Sequence, residues 1–591
     1  MRKEKWMVRA GRAKPLVEAY GLDPVFARIV AGRLGSQDAP SFLDRSGELF
    51  NPVFLKDLEK ACSFLTDYLG EAPHQICIVG DYDVDGVTST AILYLGISHL
   101  FPKASVSFRI PERMSEGYGI NLSIAEELVE KGVEAVITCD NGISAAQPIR
   151  YLMEKGVHVI VTDHHEIPKA EDGSQLLPPA DFVINPHRDD DLSPWKDICG
   201  AFVAYQLIRH LFRDEKNPRL LKLLSGYAAM GTVCDVMPLV GDNRRLVYQG
   251  LRYLQEHPSS GIRSLMEVAQ VSVLDPYTVG FRIGPMLNAG GRLGSQNKYV
   301  HVLLSDQNQE TLPIARELME TNHLRQEMTE QGVKDGLEQA AASSESDKVK
   351  VIYLPDLHES IAGLVAGKLK EKLYRPILVL TKAEGGLKGS GRSIEPYMMI
   401  DELFKVKPLF SKVGGHAMAA GFSLDAEPGS EEEVVARLRD ALNENCVLTE
   451  EELIPTVWID AVITPSKIRP IWIDKLEALA PYGVKNPRPQ LAFRGARLLK
   501  CQIRGAKGNV INLLAEDEGG VFNAVCFDRE LIEELIQDSA DPETMKKEMQ
   551  NGIYFSDPPL IDMVFEASID TYYRDPRAKL TLSHIRYSQN S

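Results

Sequence analysis

Three aspartates alternate in the segment Val-Gly-Asp-Tyr-Asp-Val-Asp-Gly, which follows an apolar run. In an extended chain alternate side chains point the same way, so Asp81, Asp83 and Asp85 would concentrate negative charge that a cation relieves. Gly86 would then let the chain turn into a helix from Thr88. An Asp-rich turn or a helix N-cap is the alternative, and this motif alone favours neither interpretation.

Three further motifs contain candidate metal ligands. Asp140 lies in an Asp-Asn-Gly sequence after an apolar run, although this sequence alone is typical of a turn. Another apolar run ends at Asp163, His164 and His165, whose carboxylate and imidazole groups suit a cation such as Mn²⁺. An isolated histidine pair is more often structural. Asp235 follows a helix-like stretch, where a lone carboxylate more often marks a helix end.

Short apolar runs and amphipathic stretches alternate around these motifs. The predicted strands are Ile76–Val79, Ala135–Thr138, Val157–Thr162 and Phe182–Ile184, and the predicted helices include Thr88–Phe101 and Leu122–Lys131. This alternation predicts a mostly parallel sheet covered by helices, hence an α/β fold. Ligands bind at the carboxyl ends of strands in such sheets, so the first three motifs are expected to meet at one rim.

The pattern changes three times further along the chain. A long helix is predicted over Leu312–Ala342, followed by a polar stretch and a second α/β unit with strand Val349–Leu354, helix Ile361–Leu373 and strand Ile377–Thr381. From Ile454 the short alternating runs predict a small all-β domain. We therefore divide the chain into an N-terminal segment 1–45, a catalytic domain 46–250, a helical connector 251–345, a substrate-binding domain 346–450 and a β domain 451–591.

Composition narrows the class of protein. The chain has 591 residues, of which 44% are hydrophobic, and it contains neither a secretory signal pattern nor an apolar run long enough to span a bilayer. Its eight cysteines form no CxxC pair and suit buried positions in a reducing cytosol. These features predict a cytoplasmic, globular protein that does not insert into membranes.

A net charge of −17 argues against nucleic-acid binding by the surface as a whole. The charge is segregated, however, because the window from Tyr482 to Ala515 contains no acidic residue. Its seven basic residues are Lys485, Arg488, Arg494, Arg497, Lys500, Arg504 and Lys507. A basic run is more often a solvated face, but in a small β domain it favours a groove that follows a phosphate backbone.

Together, the acidic and histidine motifs resemble, in order and spacing, those of the DHH phosphodiesterases. The resemblance implies two divalent cations, Mn²⁺ or Mg²⁺, and metal ligands at Asp81, Asp83, Asp85, Asp140, His164 and Asp235. By the same resemblance Asp140 would bridge the two cations and His165 would face the scissile phosphate. Two such cations about 3.5–4 Å apart activate water without a nucleophilic side chain.

Glycine-rich segments further along the chain resemble the DHH-associated substrate-binding domain and the sequence before its connector helix. Glycines let the backbone approach phosphate closely, while nearby side chains supply donors. Surface turns explain a single such segment equally well. The resemblance implies substrate contacts at Asn288, Arg292, His358, Ser390, Arg392, Ser393, Gly415 and His416.

Nearly the whole chain resembles the RecJ branch of this family, in which an oligonucleotide-binding (OB) β-barrel follows the two α/β domains. The resemblance implies a 5′→3′ exonuclease that degrades single-stranded DNA to 5′-mononucleotides in repair and recombination. It also implies a helicase or a single-strand-binding protein as partners. The sequence departs from the family pattern at three places, namely Val79, Met286 and the segment Glu359-Ser360-Ile361-Ala362. These departures leave the metal ligands named above intact.

Two alternative functions differ from exonuclease activity. Shorter DHH proteins hydrolyse oligoribonucleotides or cyclic dinucleotides, but such small substrates need no basic C-terminal β domain. A non-catalytic scaffold descended from the enzyme would be expected to have lost metal ligands such as Asp83 or Asp140, and this chain keeps them.

Overall fold

The computed structural model describes residues 3–35, 38–113, 115–215, 218–294, 296–344, 346–504, 510–570 and 576–588. The chain divides into two compact units. One consists of Met1–Arg45, Pro238–Gly241 and Ile454–Ser591, and the other of Ser46–Met237 and Asp242–Leu453. The N-terminal segment thus packs with the C-terminal domain. It contains β1 (Lys5–Val8), α1 (Ala13–Tyr20), α2 (Pro24–Ala31) and α3 (Ala39–Leu43).

A parallel five-stranded sheet forms the first domain of the larger unit, as predicted. In the order β3-β2-β4-β5-β6, its strands are β2 (Gln75–Val79), β3 (Ser105–Arg109), β4 (Ala135–Cys139), β5 (His158–Thr162) and β6 (Phe182–Ile184). The helices of this domain are α4 (Leu58–Glu71), α5 (Val84–Leu100), α6 (Leu122–Glu130), α7 (Ala146–Glu154), α8 (Gly200–Leu211), α9 (Pro218–Cys234) and α10 (Gly241–Glu256). Edge strand β3 was not predicted, because its two exposed serines, Ser105 and Ser107, interrupt the apolar pattern.

Helix α5 corrects the expected geometry of the first acidic motif. It begins four residues before the predicted start, so Gly86 lies in its first turn and not in a preceding turn. Asp83 caps the helix by accepting a hydrogen bond from the Gly86 amide at 3.0 Å. The three aspartates therefore do not alternate along an extended segment. Gly86 is needed for close packing, since a Cβ there would lie 2.4 Å from the Asp81 carbonyl oxygen.

Helices connect this sheet to the next domain. They are α11 (Ser260–Ala269), α12 (Pro276–Thr278), α13 (Gly284–Leu293), α14 (Gln296–Tyr299), α15 (His301–Leu304) and α16 (Asn308–Ala342). The predicted long connector is α16, which starts four residues earlier than expected. Proline at position 313 lies in its second turn, where it has no amide hydrogen to donate to the preceding turn.

The second domain of the larger unit has a mixed sheet in the order β10-β11-β9-β8-β7. Its strands are β7 (Lys350–Tyr353), β8 (Ile377–Ala383), β9 (Gly386–Arg392), β10 (Lys412–Gly415) and β11 (Ala419–Asp425), and its helices are α17 (Ala362–Leu373), α18 (Met399–Lys405) and α19 (Glu431–Glu444). Only β7 and β8 were predicted as strands. The glycine-rich runs at β9 and β10 suggested loops, because glycine is unfavourable within a strand.

The smaller unit contains a closed five-stranded barrel, in which β14 pairs with both β15 and β17. Its strands are β12 (Thr456–Ile459), β13 (Ala461–Val462), β14 (Leu491–Arg504), β15 (Val510–Asp517), β16 (Gly520–Cys526), β17 (Leu560–Asp570) and β18 (Arg577–Tyr587). Helices α20 (Pro470–Leu476), α21 (Arg529–Gln537) and α22 (Pro542–Asn551) correct the all-β expectation for this region. An apolar face missed in the sequence, which includes Leu531, Ile532 and Leu535, packs α21 on the barrel core.

Both ends of the chain build this unit. Strand β1 pairs in parallel with β12, and Phe26, Ile29 and Phe42 share one apolar core with residues of the barrel. Burying such side chains contributes roughly 1.5–3 kcal/mol each. Among the described residues, no helix is sufficiently long and apolar to span a membrane.

Candidate metal centre and neighbouring pockets

Two helix termini position Asp85. The residue lies in the first turn of α5, while its carboxylate oxygens accept hydrogen bonds from the amides of Gly200 at 2.7 Å and Ala201 at 2.9 Å. These amides begin α8, where the helix dipole favours negative charge. The carboxylate is thus held in one orientation although it is almost completely buried.

Asp140 has a strained backbone at the carboxyl end of β4. Its φ of 60° lies in the left-handed region, which aspartate enters only at a cost. Gly200 permits the close approach of α8, because a Cβ there would lie 2.7 Å from the Asp140 Cβ. Val236, next to Asp235, also has a positive φ of 59°. Strain at one predicted ligand and directly beside another is typical of a functional site.

The six predicted metal ligands converge at this end of the sheet. Within the six, two sets of three have donor atoms within 4.8 Å of one another, namely Asp81 with Asp83 and Asp140, and Asp85 with His164 and Asp235; a third set of this kind joins His165 to Asp140 and His164. The sets meet at His164, whose Nε2 lies 3.1 Å from Asp140 Oδ1, 3.6 Å from Asp235 Oδ2 and 3.7 Å from Asp85 Oδ2. This arrangement can hold two cations with Asp140 between them.

Buried polar atoms without partners show that these residues fit divalent cations. Among the described residues, Asp81 Oδ2, Asp140 Oδ1, His164 Nε2 and Asp235 Oδ2 have no hydrogen-bond partner. Burial raises the pKa of Asp81, Asp140 and Asp235, and neighbouring carboxylates raise it further. Burial also lowers the pKa of His164. A cation at each set would satisfy these donors and relieve the repulsion between carboxylates.

Asp163 orients the adjacent histidine and does not belong to either set. Its carboxylate accepts hydrogen bonds from the amides of Ile143 and His164 and lies 2.7 Å from His165 Nδ1. Burial lowers the pKa of His165, but Asp163 outweighs this effect, and the pKa is raised to about 9. The half-exposed imidazolium can therefore donate a hydrogen bond to an anion at the centre.

Tyr118 also contacts this histidine, and the sequence analysis missed it. Its hydroxyl donates to the Asp140 carbonyl oxygen at 2.5 Å and lies 3.2 Å from His165 Nδ1. Gly117 and Gly119, both with positive φ, flank it, and the Gly119 amide donates to Asp81. The Gly-Tyr-Gly sequence after β3 was the available signal.

A cationic cavity of about 370 Å³ lies beside the metal centre, and we call it the arginine pocket. Arg113, Arg292 and Arg392 line it together with Ser390. Arg113 lies 4.9 Å from the ring centroid of Tyr82, the residue between Asp81 and Asp83. The pocket therefore lies next to the first acidic motif. Arg113 was not predicted, because it stands alone in a segment without a repeated pattern.

Three predicted substrate-binding side chains have other contacts. The Asn288 amide oxygen accepts a hydrogen bond from the Val84 amide, which steadies the start of α5. His358 bonds to Ser360 and lines a separate cavity against α16. Ser393 is buried and donates to the Tyr397 carbonyl oxygen, so its hydroxyl does not face either the arginine pocket or the metal centre.

The last two predicted substrate contacts, Gly415 and His416, are not among the residues that line the arginine pocket. Gly415 ends β10 with a φ of 149°, and a Cβ there would lie 2.4 Å from the Ala419 carbonyl oxygen. His416 lines a cavity of about 360 Å³ together with Tyr118, Asp163 and His165. Arg392 and His416, both predicted to hold phosphate, are thus in different cavities.

The predicted nucleic-acid contacts belong to the smaller unit and are less uniform in charge than the sequence suggests. Arg497 lies opposite Glu516 in the β14–β15 register, and Arg488 lies 3.9 Å from Glu477. Arg494 and Arg504 are exposed on β14. Lys500 Nζ lies 5.8 Å from the centroid of the Tyr554 ring. Lys485 has a positive φ. Lys507 falls outside the described residues.

Comparison with known proteins agrees with this domain order. The DHH family N-terminal domain matches residues 75–232, the DHHA1 domain matches 346–447, and the RecJ OB domain matches 459–584. The single-stranded-DNA-specific exonuclease RecJ of Haemophilus influenzae is 34% identical over 82% of this chain and 86% of its own length. The Escherichia coli enzyme of that name is 33% identical over 84% and 88%. The chain belongs to the RecJ family.

Solved structures of RecJ proteins share the architecture. A Thermus thermophilus RecJ structure in complex with Mn²⁺ matches with a TM-score of 0.79 and 26% identity, and covers 99% of this chain and 80% of that one. A manganese-bound exonuclease RecJ structure matches with a TM-score of 0.57 and 32% identity over 68% of this chain and 98% of that one. The α/β fold with its C-terminal OB barrel is therefore confirmed.

Proposed function

We propose that this protein is a divalent-cation-dependent exonuclease that hydrolyses single-stranded DNA from its 5′ end, releases 5′-mononucleotides and acts in DNA repair and recombination. The observation that carries the proposal is the pair of ligand sets, in which four buried donor atoms have no hydrogen-bond partner among the described residues. The names of the RecJ relatives support single-stranded DNA as the substrate, and the 5′→3′ polarity is carried over from the family resemblance.

We assign one cation, Mn²⁺ or Mg²⁺, to Asp81, Asp83 and Asp140, and the other to Asp85, Asp140, His164 and Asp235. When bound, two such cations activate water and neutralise a phosphate group. His165, oriented by Asp163, donates a hydrogen bond to the phosphate that is cleaved. Asp163 thereby acts as a positioning residue.

The arginine pocket holds the terminal 5′-phosphate in this proposal. Its guanidinium groups suit a phosphate anion, and the stacking of Arg113 on Tyr82 places it beside the metal ligands. A terminal phosphate fixed there would set which phosphodiester bond reaches the metal centre.

In the smaller unit, the exposed arginines of β14 are proposed to hold the strand backbone. Eight free cysteines support a reducing, cytoplasmic location for the reaction. Helicase and single-strand-binding partners stay predictions from the family resemblance.

The test is incubation with end-labelled single-stranded DNA, duplex DNA, RNA and cyclic dinucleotides, with Mn²⁺ or Mg²⁺. We expect mononucleotides from single-stranded DNA only, starting at the 5′ end, and no reaction with a chelator. Cleavage of RNA or cyclic dinucleotides with single-stranded DNA left intact would contradict the proposal.

A further inference from the structure

The arginine pocket has an excess of positive charge. Arg113, Arg292 and Arg392 line it, and Arg325 of α16 is close enough that burial and the charges of Arg113 and Arg325 lower the pKa of Arg292 to about 10. Glu359 is a carboxylate that lines the pocket, and its Oε2 forms an ion pair with Lys388 Nζ at 2.9 Å.

No carboxylate forms an ion pair with these four arginines in the part of the chain that the structure describes, although Asp81 is near enough for its charge to act on Arg113. Their polar contacts are neutral, since Arg292 donates to the Ser360 carbonyl oxygen, Arg392 to Ser390, and Arg325 to Asn322. A phosphate monoester carries a charge of only about −1.5 to −2. A single terminal phosphate would therefore leave positive charge uncompensated in a half-buried site, which is unfavourable.

The pocket is also large for one phosphate group. Its volume of about 370 Å³ equals that of roughly twelve water molecules. Glycines keep the walls open, and a Cβ at Gly421 of β11 would meet no atom within 4 Å. Hydroxyl groups of Ser390 and Ser423 lie among the lining residues as additional donors. Charge and space both fit a chain of condensed phosphates.

We propose that the arginine pocket accepts the 5′-triphosphate end of a single strand as well as a 5′-monophosphate. This inference rests on the proposed function, because it uses the same pocket for the strand terminus. Water would add to the phosphorus of the first internucleotide bond, and the 3′ oxygen of the first nucleotide would leave with a proton. The first product is then a nucleoside 5′-triphosphate, the anhydride bonds stay intact, and the shortened strand has a 5′-monophosphate.

The experiment compares one DNA sequence with a 5′-hydroxyl, 5′-monophosphate or 5′-triphosphate end, with the full-length protein and excess Mn²⁺. We expect the triphosphate strand to yield nucleoside triphosphate first and monophosphates afterwards, with a KM about tenfold below that of the monophosphate strand. Degradation of the monophosphate strand alone would overturn the inference. If none of the three strands is degraded, the proposed function itself fails.

Two variants test the assignment to this pocket. Arg325→Gln removes one positive charge, and Gly421→Leu fills open space, so each should raise KM for the triphosphate strand about tenfold more than for the monophosphate strand. Gly367→Ala on α17, where a Cβ also meets nothing within 4 Å, is the matched control and should change neither value. Equal effects of Arg325→Gln and Gly421→Leu on both strands would overturn the inference.

Calorimetry without divalent cations separates binding from catalysis, because condensed phosphates chelate metals. Tripolyphosphate should bind at least about tenfold more tightly than orthophosphate, and Arg325→Gln should reduce this difference. Equal affinities would overturn the inference. Inhibition by free dATP at concentrations below the KM of the triphosphate strand would overturn the strand-end assignment, since it would identify a nucleotide site.

Discussion

The metal centre and the arginine pocket are opposite in charge and alike in construction. At the first, carboxylates approach one another and several of their oxygens have no hydrogen-bond partner among the described residues. At the second, guanidinium groups gather, and the lining carboxylate Glu359 is paired with Lys388. Each collects like charges that would repel one another in the absence of a ligand. The sign of the uncompensated charge thus indicates the ligand, a cation at one site and a phosphate at the other.

The largest effect is expected from Asp140→Asn, which keeps the size of the side chain but removes the charge shared by both ligand sets. We expect kcat to fall roughly 10³-fold, equivalent to about 4 kcal/mol of transition-state stabilisation. Without metal, the variant should be at least as stable as the wild-type protein, because repulsion among the carboxylates is relieved. Thermal unfolding with and without Mn²⁺ measures this difference.

A matched control is Asp172→Asn, since Asp172 is an exposed loop carboxylate that accepts hydrogen bonds from the amide and hydroxyl of Ser174. It should retain wild-type activity and the full rise in melting temperature with Mn²⁺. Asp140→Asn should show a reduced rise, because metal stabilises only the state that binds it. Near-normal turnover in Asp140→Asn would refute the two-metal assignment.

His165→Gln is expected to have the next largest effect. Losing the hydrogen bond to the cleaved phosphate should lower kcat about 10²-fold. Bound Mn²⁺, measured by atomic absorption, should stay at the wild-type level because His165 is not assigned as a ligand. His99→Gln, a surface change on α5, is the control. Loss of metal in His165→Gln would mean that this imidazole coordinates a cation.

Substitution in the arginine pocket should affect binding more than turnover. Arg392→Gln is expected to raise KM for a 5′-phosphorylated strand by about tenfold or more, since a hydrogen bond to a charged group contributes about 1.5–3 kcal/mol. A 5′-hydroxyl strand should be affected less. Arg437→Gln, an exposed change on α19 of the same domain, serves as the control. Equal effects on both strands would show that Arg392 does not bind the terminal phosphate.

The smallest effect concerns the exposed arginines of the barrel. Replacing Arg494 and Arg497 with Gln should reduce the slope of log affinity against log salt by roughly 0.7 for each phosphate that the protein no longer neutralises. Lys546→Gln with Lys547→Gln on α22 should leave the slope unchanged. Point variants are preferable to truncation after Thr449, which would expose core residues such as Phe26 and Phe42. An unchanged slope in the arginine variant would favour partner docking as the role of this surface.

Local chemistry explains which predictions from the sequence succeeded. Each strand of the parallel sheet that precedes a motif contains at least three consecutive apolar residues, so the strand and the polar residues after it were recognisable. Since parallel strands end at one rim, the convergence of Asp81, Asp140 and His164 followed from topology.

Tertiary contacts account for what the sequence did not reveal. Arg113 lines the arginine pocket together with Arg392, which belongs to the second domain. No local sequence pattern indicates that these two residues are close in the fold. The burial of Ser393 is likewise set by its contact with the Tyr397 carbonyl oxygen. Glycine-rich strand β9 is a strand because β8 and β11 pair with both of its edges.

The pairing of β1 with β12 has a consequence for synthesis. Lys5 and its partner Thr456 are 451 positions apart, so at about 5–20 residues per second the ribosome makes them roughly 20–90 s apart. During that interval Phe26 and Ile29 have no core to enter, while the larger unit, encoded between the two segments, can already fold. The residues of β1 and α2 are therefore made long before their native contacts, and the nascent chain must keep them from aggregating until the barrel segment appears.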